Sequence, residues 1–180
     1  MNQSFILRLA LPFVLLLSLT QTSLAQRSYD RSVGLRLGQP IALSYKQFIS
    51  DAGAFELQLG SRGYGRLYRY VSLGAAYLHH RDLSSLLDAW NLPQVGNLNY
   101  YFGGGVSGYT WHVRDANYQG LNNRISWGLE LYTGLEYTLE NIPLVVSVDW
   151  SPRFFLGNTY GSSRRLGWGY GAVAIRYVLK

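Results

Sequence analysis

His79, His80 and His112 are the three histidines of the chain. His80-Arg81-Asp82-Leu83-Ser84 puts a base, an acid and a hydroxyl within five positions. A serine hydrolase needs its base in reach of the nucleophile, with a third group orienting the base, and these are the residue types it uses. His112 sits between Trp111 and Val113, with Arg114 next, and no serine flanks it in a recognisable motif. A zinc site built on His79 and His80 would need a third protein ligand, which the sequence does not supply. There is no cysteine, so disulfides, thiolate metal sites, a cysteine nucleophile and a lipoprotein anchor are excluded. Gly103-Gly104-Gly105 lies inside a strand-like stretch, where glycine relieves crowding, and does not form a phosphate loop. No metal and no cofactor are expected.

A second set is charged. Arg36, Lys46, Glu56, Glu130, Glu136, Asp149 and Arg176 all fall on the polar face of alternating stretches. The clearest stretch runs from Trp127 to Leu139. Trp127, Leu129, Leu131, Thr133, Leu135, Tyr137 and Leu139 share one face, and Gly128, Glu130, Tyr132, Gly134, Glu136 and Thr138 the other. Alternation of this kind is the mark of a strand. A soluble barrel would turn the oily face inward and leave Glu130 and Glu136 in water. A membrane barrel turns the oily face to lipid and keeps a polar interior. The second arrangement fits, and an eight-stranded interior is narrow enough for side chains to fill it. Charges buried there must be paired. The expectation is an interior ion-pair network of Arg36, Glu56, Glu130, Glu136, Asp149 and Arg176, with Arg36 and Arg176 set against Glu136 and Asp149. Its functional alternative is a gate or a proton path.

The elements that would position these groups are eight short strands. They cover about 29–38, 41–48, 54–62, 67–78, 98–110, 127–139, 144–155 and 168–179. Gln39-Pro40 separates the first two, because proline interrupts a ladder and an even strand number is the rule for such barrels. Residues 79–97 form a long connection in which Leu83, Leu86, Leu87 and Trp90 have helical spacing. Trp111, Trp127, Trp150 and Trp168 fall near one set of strand ends. Tyr45, Tyr77, Tyr100, Tyr137 and Tyr177 fall near the other, as two interfacial belts would.

Residues 1–25 read as a signal peptide. Arg8 precedes the apolar run Leu9 to Leu19, and Ser23-Leu24-Ala25 suits cleavage before Gln26. Residues 26–180 then form one domain. Without Arg8 the chain keeps 15 basic and 10 acidic residues of the 16 and 10 in the whole sequence, a mild and dispersed excess that does not point to nucleic acid. Charged residues make up 14 % and aromatics 15 %, with 20 glycines, a composition that suits a membrane barrel with aromatic girdles.

The chain resembles the small outer-membrane β-barrel proteins of Bacteroidetes-type bacteria. The resemblance rests on Gly34-Leu35-Arg36-Leu37-Gly38, Asn99-Tyr100-Tyr101-Phe102-Gly103-Gly104-Gly105 and Gly134-Leu135-Glu136-Tyr137. It continues through Ile142-Pro143-Leu144, Asp149-Trp150-Ser151-Pro152 and Ile175-Arg176-Tyr177. It implies an all-β, eight-stranded antiparallel up-and-down barrel in a Gram-negative outer membrane, and it implies no reaction. Such barrels often end in an aromatic residue, whereas this chain ends Tyr177-Val178-Leu179-Lys180.

With both termini in the periplasm, the extracellular side carries Arg62, Arg66, Arg114, Arg124, Arg164 and Arg165 against Asp115 alone. Arginine forks bind phosphate well, so contacts with lipopolysaccharide phosphates are expected there. The expected protein is a membrane-embedded, porin-like monomer with outer-membrane lipids and lipopolysaccharide as partners. Its role would be structural or in surface interaction, without catalysis. The alternatives are a lipid A-modifying hydrolase, a narrow conduit for small apolar solutes, and a soluble lipocalin-like binder.

Overall fold

Alternation of apolar and polar residues closes the chain into a barrel. The computed structural model describes residues 29–64, 68–91, 97–113, 125–156, 166–167 and 170–179. Strands β1 (Arg31–Gly38), β2 (Ile41–Phe48), β3 (Gly53–Tyr64) and β4 (Tyr68–Asp82) come first, followed by helix α1 (Ser84–Ala89). Then come β5 (Leu98–Val113), β6 (Ile125–Thr138), β7 (Leu144–Trp150), β8 (Arg153–Leu156), β9 (Leu166–Gly167) and β10 (Gly171–Leu179). Each strand pairs antiparallel with its neighbours, and β1 pairs with β10 to close the ring, Gly34 facing Arg176. β7 and β8 are one stave. Both pair with β6 in a single register, Thr133 opposite Trp150 and Glu130 opposite Arg153. The break at Ser151-Pro152 reflects the proline, which has no N–H to give the ladder. Its carbonyl still accepts from Leu131 N at 3.1 Å. β9 and β10 also continue one stave along β8 and β7, with their registers one residue apart, Gly167 opposite Arg153 and Gly171 opposite Trp150, so the barrel has eight.

The wall is inside out relative to a soluble fold. Leu35, Leu43, Leu57, Leu73, Val106, Leu131, Val148 and Ile175, one per stave, are each 47–65 % exposed on the outer face. The lumen side holds Arg36, Lys46, Glu56, Glu136 and Arg176, all at most 2 % exposed.

The ring is tight enough that glycine is required at some inward positions. A Cβ at Gly34 would overlap the carbonyl oxygen of Ile175, and one at Gly103 that of Tyr77. These glycines sit on the first and fifth staves, on opposite sides of an eight-stave ring. At both places the neighbouring backbone folds in over the strand, so the wall turns sharply there. Gly104, one residue on and facing outward, could carry a Cβ without a clash; the nearest atom would be Glu130 O at an ordinary contact distance of 3.6 Å.

Several strand ends differ from the sequence reading. β4 runs four residues further, to Asp82, and β5 three further, to Val113. α1 begins at Ser84, within the stretch of helical spacing, and carries Trp90 70 % exposed just beyond it. Trp127 and Trp150 face outward, Trp150 midway along the β7–β8 stave and not near its end, but Trp111 faces the lumen at 7 % exposure. Its indole N–H donates to Ser126 Oγ at 2.6 Å. It therefore does not belong to the outer belt: an indole with a buried partner is satisfied inside. Trp168 and residues 1–25 lie outside the described residues.

Candidate functional site: the charged lumen

The lumen is filled in tiers. At the end where the termini lie, Tyr29, Phe48, Ala54 and Val145 form an apolar layer, with Val178 packed against it. Tyr29 meets Phe48 edge to face at 5.1 Å.

The next tier is ionic. Lys46 Nζ donates to Glu136 Oε2 at 2.6 Å and lies 3.7 Å from Glu56 Oε2. Arg176 Nη2 donates to Glu56 Oε1 at 2.8 Å, while its Nη1 stands 3.7 Å from Glu136 Oε2. The guanidinium is completed by Ser44 Oγ at 2.9 Å and Ser147 Oγ at 2.8 Å. Tyr29 donates to Glu136 Oε1 at 2.8 Å. His80 lies in the same tier. Its Nε2 is 3.4 Å from Lys46 Nζ and 3.6 Å from Glu136 Oε1, and its ring stacks on Tyr101 at 5.1 Å.

Above it, Arg36 grips Asp149 with two nitrogens, Nη2 to Oδ1 and Nε to Oδ2. Tyr101 donates to Asp149 Oδ2 at 3.0 Å and so joins the two tiers. Next, Glu130 accepts from Ser107 Oγ at 2.7 Å, from Tyr109 at 2.5 Å and from Tyr132. Arg153 Nε lies 3.0 Å from Glu130 Oε1, and the guanidinium carbon sits 4.4 Å over the Tyr170 ring. Tyr70, Tyr109, Trp111 and Phe155, with Tyr170 against them, then close the loop end.

Four buried carboxylates (Glu56, Glu130, Glu136, Asp149) thus face four buried cations (Arg36, Lys46, Arg153, Arg176). These eight buried groups balance one another when His80 is neutral. All six residues of the expected network face the lumen. Arg36 meets Asp149. Arg176, expected against Glu136 or Asp149, is nearest Glu56. The sequence reading missed Arg153 and placed His80 in the 79–97 connection, outside the fourth strand. Both carry a signal in the alternation. Steps of two from Asp149 reach Ser151 and Arg153, and steps of two from Ala76 reach Leu78 and His80. Tyr29 has no such signal, because it precedes β1 and sits on the opposite parity to Ser32.

Arg153 is the least anchored of the four cations. Its Nε and Nη1 meet no acceptor in hydrogen-bonding geometry, and Glu130 keeps three hydroxyl donors without it. Arg153→Met should therefore cost about 1–2 kcal/mol. Arg176→Met, which takes from Glu56 its close cation and leaves it Lys46 at 3.7 Å, should cost about 3–5 kcal/mol. Urea unfolding in lipid vesicles measures both, and the reverse order would contradict this account of the tiers.

The hydrolase-like stretch does not assemble. Ser84 Oγ donates to Asp82 Oδ2 at 2.8 Å, while His80 points into the lumen against Lys46 and Glu136. His79 packs outside on Phe102 at 5.4 Å, and His112 is exposed near the loop end of β5. No group of three His, Asp or Glu converges on a metal position among the described residues. Of the six rim arginines, Arg62 is half-buried at the loop end of β3, on the lumen parity. Arg66, Arg114, Arg124, Arg164 and Arg165 lie outside the described residues.

No known protein-family pattern matches the chain, and no curated protein does. Solved structures do. Neisserial surface protein A (NspA) superposes over 83 % of this chain and 94 % of its own, with a TM-score of 0.53 and 14 % identity. The N-terminal β-barrel domain of Pseudomonas aeruginosa OprF covers 86 % of this chain and 98 % of its own, at 0.54 and 15 %. The chain has the fold of a small eight-stranded antiparallel β-barrel. The outer membrane enzyme PagL reaches a TM-score of 0.39 at 9 % identity, too low to inform the site.

Proposed function

We propose that this chain is a non-enzymatic outer-membrane β-barrel with a structural or cell-surface interaction role. One observation carries the reading: large apolar side chains stand exposed on every stave while eight charged groups are buried inside. Water does not favour that distribution, since apolar surface is driven out of it and buried charge costs several kcal/mol per ion. Lipid outside and a self-neutralising interior make both acceptable. The fold shared with NspA and the OprF barrel domain supports the same setting. The signal peptide proposed for residues 1–25 would supply export.

The lumen then acts as a plug. Its tiers run from Tyr29 and Phe48 to Tyr70 and Phe155, each occupied by buried side chains, and this favours a closed barrel over a conduit. Reconstituted in a planar bilayer, the protein should pass no sustained ionic current. A steady conductance of the unmodified protein would overturn the plug.

The rim arginines Arg62, Arg66, Arg114, Arg124, Arg164 and Arg165 are proposed to contact lipopolysaccharide phosphates, each a bidentate partner for a guanidinium. Replacing Arg164 and Arg165 by alanine should lower the lipopolysaccharide that co-purifies with the folded protein. Unchanged co-purification removes the clamp.

A further inference from the structure

Among the described residues, the outer wall carries a recess at membrane depth. Phe102, Thr133 and Trp150 form a row across β5, β6 and β7, since Thr133 is directly opposite both Phe102 and Trp150. Thr133 is the one small side chain among the outward residues of β6, where Trp127, Leu129, Leu131, Leu135 and Tyr137 are all large. Two aromatic walls therefore flank a low floor. Leu131 and Pro152 close one end, and Gly103 and Tyr132, whose side positions face the lumen, contribute backbone to the base. The recess has a volume of about 360 Å³, at the small end of the range for ligand pockets. Small size, aromatic flanks and an apolar lining suit a narrow, flexible hydrocarbon.

We infer that this slot is a binding site for one acyl chain of a membrane phospholipid. The occupant follows from continuity: the slot opens on the same exposed apolar wall that the proposed function assigns to lipid, so only hydrocarbon reaches it. The depth selects the lipid. Phe102 and Thr133 lie four and five residues in from Leu98 and Thr138, the strand ends on the side of the termini, and Trp150 is midway along its stave, six residues from both Leu144 and Leu156. With the termini in the periplasm, the slot runs from mid-bilayer toward the inner leaflet, where phospholipid is the acyl donor. A chain held between Phe102 and Trp150 would exchange more slowly than its neighbours around the ring. The inference rests on the lipid-facing reading, and its test separates the two.

The full-length folded protein is reconstituted in phosphatidylethanolamine–phosphatidylglycerol vesicles doped with a phospholipid carrying a diazirine at mid-chain. After irradiation, labelled peptides are mapped by mass spectrometry. Labelling should concentrate several-fold on the segments around Phe102, Thr133 and Trp150 relative to Leu35 and Leu43 on the far wall. Thr133→Phe, which fills the floor from the lipid side, should reduce the slot signal to that of the far wall. Thr133→Ala should retain it. Even labelling of all walls, or a slot signal indifferent to Thr133→Phe, overturns the slot and leaves the membrane reading intact. No acyl labelling on any wall overturns both.

Discussion

Replacing Glu136 by glutamine is expected to cost about 3–5 kcal/mol of folding stability, the range for stranding a buried ion partner. Glu136 is the acid on which most of the lower tier converges. It receives Lys46 at 2.6 Å and Tyr29 at 2.8 Å, and Arg176 and His80 lie 3.7 Å and 3.6 Å away. Removing its charge leaves Lys46 with Glu56 alone, at 3.7 Å, and leaves the lumen one charge out of balance. The decisive comparison is the double variant. Glu136→Gln combined with Lys46→Met restores neutrality, and replacing a buried pair by apolar groups is often close to neutral. The pair should therefore be more stable than Glu136→Gln alone, with a coupling energy well above the few tenths of a kcal/mol of independent sites. Urea titrations in vesicles, followed by tryptophan fluorescence, measure all three. Additive losses would mean that the tier is not a charge-balanced unit.

The second large effect concerns shape. Gly103→Ala is expected to cost about 3 kcal/mol, at the upper end for overpacking. The atom it meets, the carbonyl oxygen of Tyr77, is backbone and cannot swing aside. Gly103 is directly opposite Leu78 in the β4–β5 ladder, so yielding would mean opening that pairing. Gly104→Ala is the matched control. It lies one residue away, in the same strand, and its Cβ would point outward and meet Glu130 O only at an ordinary contact distance of 3.6 Å; its cost should stay within about 0.5 kcal/mol. Comparable losses at the two positions would mean that helix- or strand-propensity effects, and not the curvature of the wall, make glycine necessary there.

How much of this was legible in the sequence depends on the residue. The outer wall was, because alternation with period two is a direct consequence of strand geometry. Leu35, Leu43, Leu131 and Val148 all face where their parity puts them. The separation of β1 from β2 at Gln39-Pro40 was legible through proline's missing donor. The inward charges were legible for the same reason, as far as each strand was followed. His80 was lost because its strand was ended at residue 78, before the pair of histidines, whereas Arg153 lay within the 144–155 stretch and was passed over beyond Ser151-Pro152. Partner choice was not legible. Whether Arg176 meets Glu56 or Glu136 depends on how far the staves slip past one another around the ring, and no local pattern encodes that stagger. Trp111 was misplaced on type alone. A tryptophan near a strand end suggests a membrane interface, but its parity with Tyr109 and Ser107 points inward.

The central claim is that lipid covers the outer wall. The most direct measurement is the electrophoretic mobility of the protein from isolated membranes, boiled and unboiled, after washing those membranes with urea. A closed barrel in lipid should remain in the urea-washed pellet, run as a compact fast band unboiled, and shift to its full apparent mass only on boiling. Recovery in the soluble fraction with one band under both conditions would contradict the account, because an apolar wall of this extent would then have no solvent to face.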